Sequence, residues 1–451
     1  MRSVVPPPDS KPRLVVVGAG LAGCEAAWQA AERGVAVTLV EMKPERLSPA
    51  HVSPDFAELV CSNSLRASGL GNAVGLLKQE MRRLGSLVLR AADESAVPAG
   101  RALAVDRRAF SRAVTDAVTS HPGITIEHRV VTQAPRETNA ILATGPLTEP
   151  ELARDLQQLL GEEQLYFYDA ISPIVYADSI DTSVAFRASR YEDGEGDYLN
   201  LPLGREAYER FVEELLAAEK VPLHAFEASL FFEGCLPIEE MARRGRDTLA
   251  FGPMKPVGLV DPRTGERPHA VAQLRQEDKR GVLYNLVGFQ TRLRVGEQQR
   301  ILRSLPGLAE AVFARYGSVH RNTFVNAPLR LTADLQLRSR PGLRLAGQLA
   351  GVEGYVESAA LGLLAGVFAA FEARGEVAPL PPETTAHGAL LHYLQAADPK
   401  RFQPMNVNYG LFPPLEALGR RMPRREKNQQ LAARALAALE PWRERIGASA
   451  T

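Results

Sequence analysis

Gly18-Ala-Gly-Leu-Ala-Gly23 is the stretch that decides the fold, and it directly follows the apolar run Leu14-Val-Val-Val17. The spacing G-x-G-x-x-G between a predicted strand and a predicted helix is typical of a dinucleotide-binding turn. The first glycine allows the tight turn, the second lets the backbone approach a pyrophosphate, and the third lets the helix pack on the strand. We therefore expect the following residues to bind a dinucleotide: Gly18, Ala19, Gly20, Leu21, Ala22 and Gly23.

A second strand and an acidic residue strengthen this prediction. A helix is expected over Cys24 to Arg33, and the apolar run Ala36-Val-Thr-Leu-Val40 then ends at Glu41, 18 residues after Gly23. An acidic residue at about this distance holds a ribose hydroxyl in dinucleotide-binding folds. The alternative is a glycine-rich turn that binds no ligand.

The composition indicates a soluble cytoplasmic enzyme. The chain has 451 residues, 45% of them hydrophobic, which is enough for two or three domains with large cores. The formal net charge is +0, so any nucleic-acid contact needs a local basic patch. The first ten residues contain three prolines and no apolar segment, so no signal peptide is predicted. The apolar run Ala359 to Phe371 has 13 residues, too few to span a bilayer, and predicts a buried helix.

The order of predicted elements indicates an interrupted α/β domain. After the first strand–helix–strand unit we expect one helix over 72–92 and strands at 124–126, 130–131 and 140–145, the last ending in Ala143-Thr-Gly145. From about residue 164, short β-like runs alternate with polar turns, at 174–176, 183–186, 230–232, 270–272 and 282–289, with one helix over 205–219. This region predicts a mixed α+β module.

A returning strand is expected at Leu343-Arg-Leu-Ala-Gly347, followed by Gly351, Gly354 and the buried helix. Gly347 and Gly351 are therefore predicted to cover the cofactor from its other side. The fold class is α/β, a discontinuous Rossmann-like domain with an inserted mixed α+β domain. The predicted boundaries are 1–163 and 336–451 for the two parts of the nucleotide-binding domain and 164–335 for the insertion.

The three cysteines, Cys24, Cys61 and Cys235, suit neither a zinc site nor a disulfide framework, and no metal is predicted. Cys61 follows an apolar run and precedes a glycine-rich loop, where a thiol can be exposed and activated by N–H dipoles; the alternative is a buried structural thiol. Cys235 lies in a predicted loop between Gly234 and Pro237, and loops often carry function. Cys24 follows Gly23, where a small residue is needed, and is predicted to be structural.

The C-terminal part is rich in arginine. Between Gly419 and Arg445 the basic residues outnumber the acidic residues Glu426, Glu440 and Glu444. Such a run is either a solvated helix face or a nucleic-acid contact. The basic residues are Arg420, Arg421, Arg424, Arg425, Lys427, Arg434, Arg443 and Arg445.

Several longer segments together carry a family resemblance that runs from about Leu14 to the arginine-rich end. The chain resembles the bacterial folate- and FAD-dependent tRNA (uracil-5-)-methyltransferases. These motifs are more specific than the glycine fingerprint. They are GAGLAGCEAA at 18–27, FAELVCSNSL at 56–65, FGPMKPVG at 251–258, QLRQED at 273–278, LVGFQT at 286–291, HRNT at 320–323 and AGVEGYVES at 350–358.

The resemblance implies FAD as the bound dinucleotide, 5,10-methylenetetrahydrofolate as carbon donor, NAD(P)H as reductant and tRNA as substrate, with ribothymidine of the T loop as product. It also implies that Cys61 and Cys235 are the two functional cysteines. The chemistry agrees, because a thiolate that adds to C6 of uracil makes C5 nucleophilic, and because a methylene group needs a hydride to become methyl. Neither the attacking cysteine nor the base that removes the C5 proton follows from the sequence.

Three other functions remain open at this point. A sibling flavoprotein family that modifies wobble uridines with a GTPase partner shares the N-terminal fold, although its members have a longer C-terminal helical region. A flavin disulfide oxidoreductase usually has a close cysteine pair, whereas 174 positions separate Cys61 from Cys235. A non-catalytic RNA-binding flavoprotein would function without either thiol.

Overall fold

The computed structural model describes residues 13–136, 139–161, 165–170, 172–190, 196–221, 236–415 and 422–447. Within these ranges the helices are α1 Leu21–Ala31, α2 Ala73–Arg83, α3 Leu87–Glu94, α4 Arg107–Ser120, α5 Pro150–Leu160, α6 Arg205–Ala217, α7 Ile238–Arg243, α8 Thr248–Phe251, α9 Val295–Leu302, α10 Ala327–Arg330, α11 Tyr355–Ala373, α12 Ala386–Ala396 and α13 Arg424–Arg445.

The strands within the same ranges are β1 Arg13–Val17, β2 Ala36–Glu41, β3 Ser64–Ala67, β4 Ala96–Val97, β5 Ala102–Val105, β6 Ile124–His128, β7 Ala140–Leu142, β8 Leu165–Ala170, β9 Ile174–Tyr176, β10 Phe186–Ala188, β11 Tyr198–Leu203, β12 Ala270–Gln276, β13 Leu283–Leu286, β14 Phe313–Arg315, β15 Val319–Phe324, β16 Gln336–Leu337 and β17 Arg340–Leu345.

The first sheet has six strands in the order β16-β17-β7-β1-β2-β6, and all its pairs except β16–β17 are parallel. Strand β1 pairs with β2 on one side and with β7 on the other, so the strand order reverses at β1. Ligands of open α/β sheets bind at such a reversal, outside the carboxyl ends of the strands. Strand β17 joins this sheet from far along the chain and pairs with β7.

The second sheet lies between β7 and β16 in the chain and is antiparallel throughout, with the order β10-β11-β12-β13-β9-β14. Its strands and helices enclose a separate hydrophobic core that includes Leu201, Phe211 and Phe289. The predicted fold class is therefore confirmed. The domain boundaries at 163/164 and 335/336 stay predictions. Because Phe324 and Ala327 are buried in the first core, we propose that the chain re-enters the nucleotide-binding domain near Phe324.

Helix α11 is the central helix of the first core, and it packs along α1. Gly362 and Gly366 allow this close approach. A Cβ on Gly362 would lie 2.2 Å from the Ala22 carbonyl oxygen, and a Cβ on Gly366 would lie 2.4 Å from the Ala26 carbonyl oxygen. Within the described ranges this helix has the length and composition that a membrane span needs, but 83% of its apolar window is buried inside the protein. The predicted buried helix is confirmed.

Some predicted elements differ from the structure. The single helix expected over 72–92 is two helices, α2 and α3, because Gly85 adopts a left-handed φ of 71° and the Ser86 side chain caps α3 by accepting from the Leu89 N–H at 3.2 Å. Helix α1 begins three residues earlier than Cys24, directly after Gly20.

Two predicted strands also need correction. Val130 and Val131 form no strand and belong to a loop that follows β6. The run 183–186 contributes only its last residue, Phe186, to β10, because Asp181 accepts hydrogen bonds from the Ser183 N–H and hydroxyl and holds that stretch in a turn. The run predicted at 230–232 lies outside the described residues.

Candidate active site

A cavity of about 440 Å³ lies at the carboxyl ends of β1, β2 and β7. The turns after these three strands line it, as do the segment that contains Cys61, the turn after β17 and the N-terminus of α11. Strands β12 and β13 of the second sheet contribute Arg275 and Asn285 to its wall. The cavity is thus shared by both sheets. The expected strand over 140–145 ends at Leu142, and the Ala143-Thr-Gly145 segment that follows β7 also lines the cavity.

The glycines of the first turn serve different purposes. Gly18 has a φ of 98°, and a Cβ on Gly23 would lie 1.7 Å from the Gly18 carbonyl oxygen, so both allow the turn and the helix to pack closely. A Cβ on Gly20 would meet nothing within 4 Å, and Gly20 lines the cavity. Gly20 therefore leaves space for a ligand in the cavity to approach the protein backbone at this position.

Helix α1 begins at this turn with free donors. Gly20 precedes its first residue, and no side chain caps the helix start. Uncapped N–H groups at a helix N-terminus form a ready anion site. The residues predicted to bind the dinucleotide, from Gly18 to Ala22, line the cavity, whereas Gly23 is a packing residue behind it.

Glu41 lies at the carboxyl end of β2 and lines the cavity although it is only 6% exposed. Its Oε2 accepts the Ala19 N–H at 2.6 Å and its Oε1 accepts the Lys43 N–H at 3.0 Å. These bonds fix the carboxylate beside the glycine turn. Each carboxylate oxygen keeps a second lone pair for a hydroxyl donor.

The second glycine cluster divides in the same way. Gly347 lines the cavity and has a φ of 72°. A Cβ on Gly347 would lie 2.8 Å from the Ala22 Cβ, so glycine lets this turn pack against α1. Gly354 also lines the cavity and precedes the uncapped start of α11. Gly351 instead packs against the Phe402 ring, which a Cβ would approach to 2.5 Å.

Cys61 is partly exposed and lines the cavity. Its N–H donates to the Tyr355 hydroxyl at 2.6 Å, and the Ser62 N–H donates to the same oxygen at 3.2 Å. Cys24, by contrast, is fully buried, and its thiol donates to the Ala19 carbonyl oxygen at 3.3 Å. Burial raises the pKa of Cys24 far above its ordinary value, which keeps this thiol protonated and inert.

Cys235 lies outside the described residues, but the chain on both sides of segment 222–235 is described. The Val221 N–H donates to the Arg292 carbonyl oxygen at 2.8 Å, and the Ile238 N–H donates to the Gln290 carbonyl oxygen at 2.7 Å. Gln290 itself lines the cavity. Both flanks of this segment are therefore attached to one short stretch that reaches the cavity.

Sequence reasoning missed the charged and hydroxyl side chains around the Cys61 segment. The residues Arg66, Arg275 and Tyr355 line the cavity, and Arg107 and Arg315 donate hydrogen bonds to the same segment from behind. Arg275 and Tyr355 do fall inside quoted motifs, QLRQED and AGVEGYVES, but local spacing assigns them no contact. Within the described ranges, no group of three or more His, Cys, Asp or Glu side chains could hold a metal ion.

Arg66 and Lys78 hold β3, the strand that follows the Cys61 segment. Arg66 forms an ion pair with the buried Glu357 of α11, and its backbone adopts a φ of 63°. The fully buried Lys78 ammonium donates to the carbonyl oxygens of Leu65 at 2.7 Å and Arg66 at 2.9 Å. Desolvation, assisted by the charge of Arg66, lowers the pKa of Lys78 to about 7.

This lowered pKa predicts a pH-dependent stability. Between about pH 7 and its ordinary pKa of 10.5, Lys78 is neutral in the folded protein and protonated in the unfolded chain, so stability rises with pH over that window. Lys78→Met removes this dependence. We expect the unfolding temperature of the wild type, measured relative to that of the variant, to increase from pH 7 to pH 10. The exposed Lys427→Met serves as the matched control and should follow the wild type. Parallel curves for all three proteins would contradict the prediction.

Comparison with known proteins gives consistent matches. The family model described as glucose inhibited division protein A matches residues 13–377. The methylenetetrahydrofolate–tRNA-(uracil-5-)-methyltransferase TrmFO of Syntrophotalea carbinolica is 59% identical over 441 residues, which cover 98% of this chain and 96% of that protein. The protein of the same name from Desulforudis audaxviator is 59% identical over 431 residues, covering 95% and 98%.

Solved structures share the fold at lower identity. Aquifex aeolicus GidA in its form II crystal has a TM-score of 0.69 at 16% identity, covering 96% of this chain and 74% of that chain. The form I crystal gives a TM-score of 0.68 at 17% identity, covering 97% and 78%. These structures support the architecture of both sheets.

Proposed function

Because this chain belongs to the glucose inhibited division protein A family and to the methylenetetrahydrofolate–tRNA-(uracil-5-)-methyltransferases, we propose that its cavity transfers a one-carbon unit from 5,10-methylenetetrahydrofolate to C5 of a T-loop uridine in tRNA. The protein is an FAD- and folate-dependent tRNA methyltransferase. The observation that carries this assignment is 59% identity over 98% of the chain. We further propose that the enzyme acts in the cytoplasm.

The residues at the first turn fit FAD. The open space at Gly20, the uncapped start of α1 and the fixed carboxylate of Glu41 provide a pyrophosphate contact and a ribose acceptor. We propose that Gly18 to Ala22 and Glu41 hold the adenosine and pyrophosphate portions, while Gly23 packs α1 against the turn. Gly347, predicted to cover the cofactor from its other side, lies instead against Ala22, beside the same turn. Gly351 has a packing role, because its lack of a side chain allows the Phe402 ring to lie against the turn after β17. When bound, FAD supplies the hydride that reduces the transferred carbon to methyl, and NAD(P)H supplies that hydride to it.

We assign the covalent chemistry to Cys61 and Cys235. One thiolate adds to C6 of uracil, and the resulting enolate makes C5 nucleophilic enough to attack the electrophilic one-carbon unit. Loss of the C5 proton then expels the tetrahydrofolate nitrogen and leaves an exocyclic methylene on C5. Hydride addition to this methylene gives the methyl group, and expulsion of the thiolate from C6 restores the ring. The location of Cys61 on the cavity wall and the attachment of both flanks of the Cys235 segment at 290–292 support this role.

Analysis of tRNA nucleosides by mass spectrometry tests the function. Unmodified tRNA should gain ribothymidine only when the enzyme, 5,10-methylenetetrahydrofolate and NAD(P)H are all present. Ribothymidine formed without the folate, or none formed in the complete mixture, would overturn the proposal. A disulfide oxidoreductase would instead reduce a small disulfide with NAD(P)H and leave tRNA unchanged.

The wobble-uridine alternative is less well supported. The GidA chains share this fold at 16–17% identity, and the match covers only 74–78% of their length, so they carry segments that this chain does not match. The relatives at 59% identity all carry the methyltransferase name.

We propose that the basic segment at the start of α13 binds tRNA. Arg424, Arg425 and Lys427 are exposed, and no ion pair involving them is found within the described ranges. Cations at a helix N-terminus oppose the helix dipole, so this placement costs stability and is better explained by an anionic partner. Arg420 and Arg421 lie outside the described residues. Arg292, a basic side chain of the inserted module, is paired with Glu240 at 2.6 Å.

Neutralising Arg420, Arg421, Arg424 and Arg425 together should weaken tRNA affinity and flatten its dependence on salt, because fewer counterions are released on binding. Filter binding at several salt concentrations measures both effects, while flavin content and NAD(P)H oxidation should stay normal. Arg112→Gln, an exposed arginine on α4, is the control. Unchanged affinity in the quadruple variant would make the segment a solvated helix start.

A further inference from the structure

The segment Leu59–Ser62, which bends at Cys61 and is called the Cys61 turn, is held by side chains of helices α4 and α11 and of the second sheet. Arg107 of α4 donates through Nη1 to the Leu59 carbonyl oxygen and through Nη2 to the Cys61 carbonyl oxygen, the latter at 3.4 Å. Arg315, at the end of β14, donates to the Val60 carbonyl oxygen at 2.8 Å. Each carbonyl from Leu59 to Cys61 thus accepts a guanidinium hydrogen bond.

Arg275 of β12 fixes the end of the same turn. Its Nη2 donates to the Ser62 hydroxyl at 2.7 Å and its Nε donates to Asn63 Oδ1 at 2.9 Å. The Asn63 amide in turn donates to the carbonyl oxygens of Val105 and Gln276, both at 3.0 Å. The second sheet is therefore connected to the Cys61 turn through two arginines.

Tyr355 holds the turn from the cavity side. As the first residue of α11, it places its hydroxyl oxygen where the Cys61 and Ser62 N–H groups both donate to it. Burial, with the nearby Cys61 second, raises the pKa of Tyr355 far above its ordinary value, so the hydroxyl stays protonated. The lone pairs of the Tyr355 hydroxyl oxygen accept the two N–H groups of the turn, while the hydroxyl hydrogen remains available for donation.

The cost of this arrangement argues for a function. Arg107 is balanced by the buried Glu277, but within the described ranges neither Arg275 nor Arg315 forms an ion pair with a carboxylate. Desolvation lowers the pKa of both guanidiniums. Arg275 is buried, whereas Arg315 is partly exposed. A buried cation without a direct carboxylate partner is expensive, and the neutral segment could be held by less costly groups.

We propose that Tyr355, Arg275 and Arg315 are positioning residues that fix the turn Leu59–Ser62 and act on the methyl-transfer reaction through Cys61. The proposal rests on the catalytic role assigned to Cys61 under the proposed function. Because Arg275 and Arg315 belong to the second sheet, they also make the position of Cys61 depend on the seating of the inserted module.

A double-mutant cycle with Cys61 tests the proposal. Tyr355→Phe leaves the Cys61 and Ser62 N–H groups without their acceptor. We expect single-turnover methyl transfer to fall roughly 10- to 100-fold, the range expected when buried donors lose their acceptor. KM for tRNA and flavin content should stay unchanged. In the Cys61→Ala background the same substitution should cause less than about a twofold further loss, because neighbours that act as a unit are not additive.

Two further variants separate positioning from general damage. Tyr393→Phe removes one tyrosine hydrogen bond, to the Gln403 carbonyl oxygen at 2.6 Å, away from the turn, and should leave the rate normal. Arg315→Met should lower the rate roughly tenfold, because a charged hydrogen bond is lost, whereas Arg315→Lys keeps one donor and should restore most of it.

The outcomes are distinct. Full additivity of Tyr355→Phe with Cys61→Ala, or equal losses in Arg315→Met and Arg315→Lys, would overturn the positioning role. A normal rate in Tyr355→Phe with normal flavin content would overturn it as well. If Cys61→Ala alone retained the wild-type rate, the catalytic role of Cys61 would fail instead, whatever the tyrosine variant did.

Discussion

Replacement of either Cys61 or Cys235 with alanine is expected to lower ribothymidine formation by at least about three orders of magnitude, because each change removes a group from covalent chemistry and not merely a contact. Cys61 meets the structural condition for this role, since it is partly exposed on the cavity wall. Mass spectrometry of tRNA nucleosides after single-turnover incubation gives the rate. The flavin content of both variants should stay normal.

Cys24→Ala is the matched control, because this thiol is fully buried and bonded to the Ala19 carbonyl oxygen. It should methylate tRNA at close to the wild-type rate. Near-normal ribothymidine formation by both the Cys61 and the Cys235 variants would remove the nucleophilic assignment altogether. A loss in only one of them would limit the assignment to that cysteine.

Gly20→Val is expected to abolish flavin binding while the protein stays folded. The backbone of Gly20, with φ −75° and ψ −171°, is in a region open to valine, and a Cβ there meets nothing within 4 Å. The new side chain would project into the space where the pyrophosphate must approach the backbone. Flavin absorbance per mole of purified protein should fall to near zero, whereas far-ultraviolet circular dichroism should match the wild type.

Gly23→Ala provides the contrast, because its Cβ would lie 1.7 Å from the Gly18 carbonyl oxygen. This variant should lose stability as well as flavin, since helix and strand must separate. Full flavin absorbance in Gly20→Val would mean that the cofactor lies elsewhere. Unfolding of Gly20→Val to the same degree as Gly23→Ala would show that Gly20 serves packing and not ligand access.

Local patterns were sufficient for the elements that depend on neighbours in the chain. The glycine turn, Glu41 at the end of β2, the buried helix α11 and the interrupted order of strands were all predicted, because hydrophobic period and glycine spacing act over a few residues. The same patterns failed at Gly85, where a left-handed residue ends α2. They also failed at Val130 and Val131, where β-branched residues occupy a loop.

The sequence by itself determined the nucleotide-binding turn, the fold class, the family and, through the family, the reaction. Tertiary structure alone decided which side chains surround the Cys61 turn. Tyr355 is 294 positions from Cys61, and Arg315 is 255 positions from Val60, yet both are within hydrogen-bond distance of the turn. The physical reason is that spacing along the chain specifies only local geometry, whereas these contacts arise where α11 and the second sheet pack against the turn.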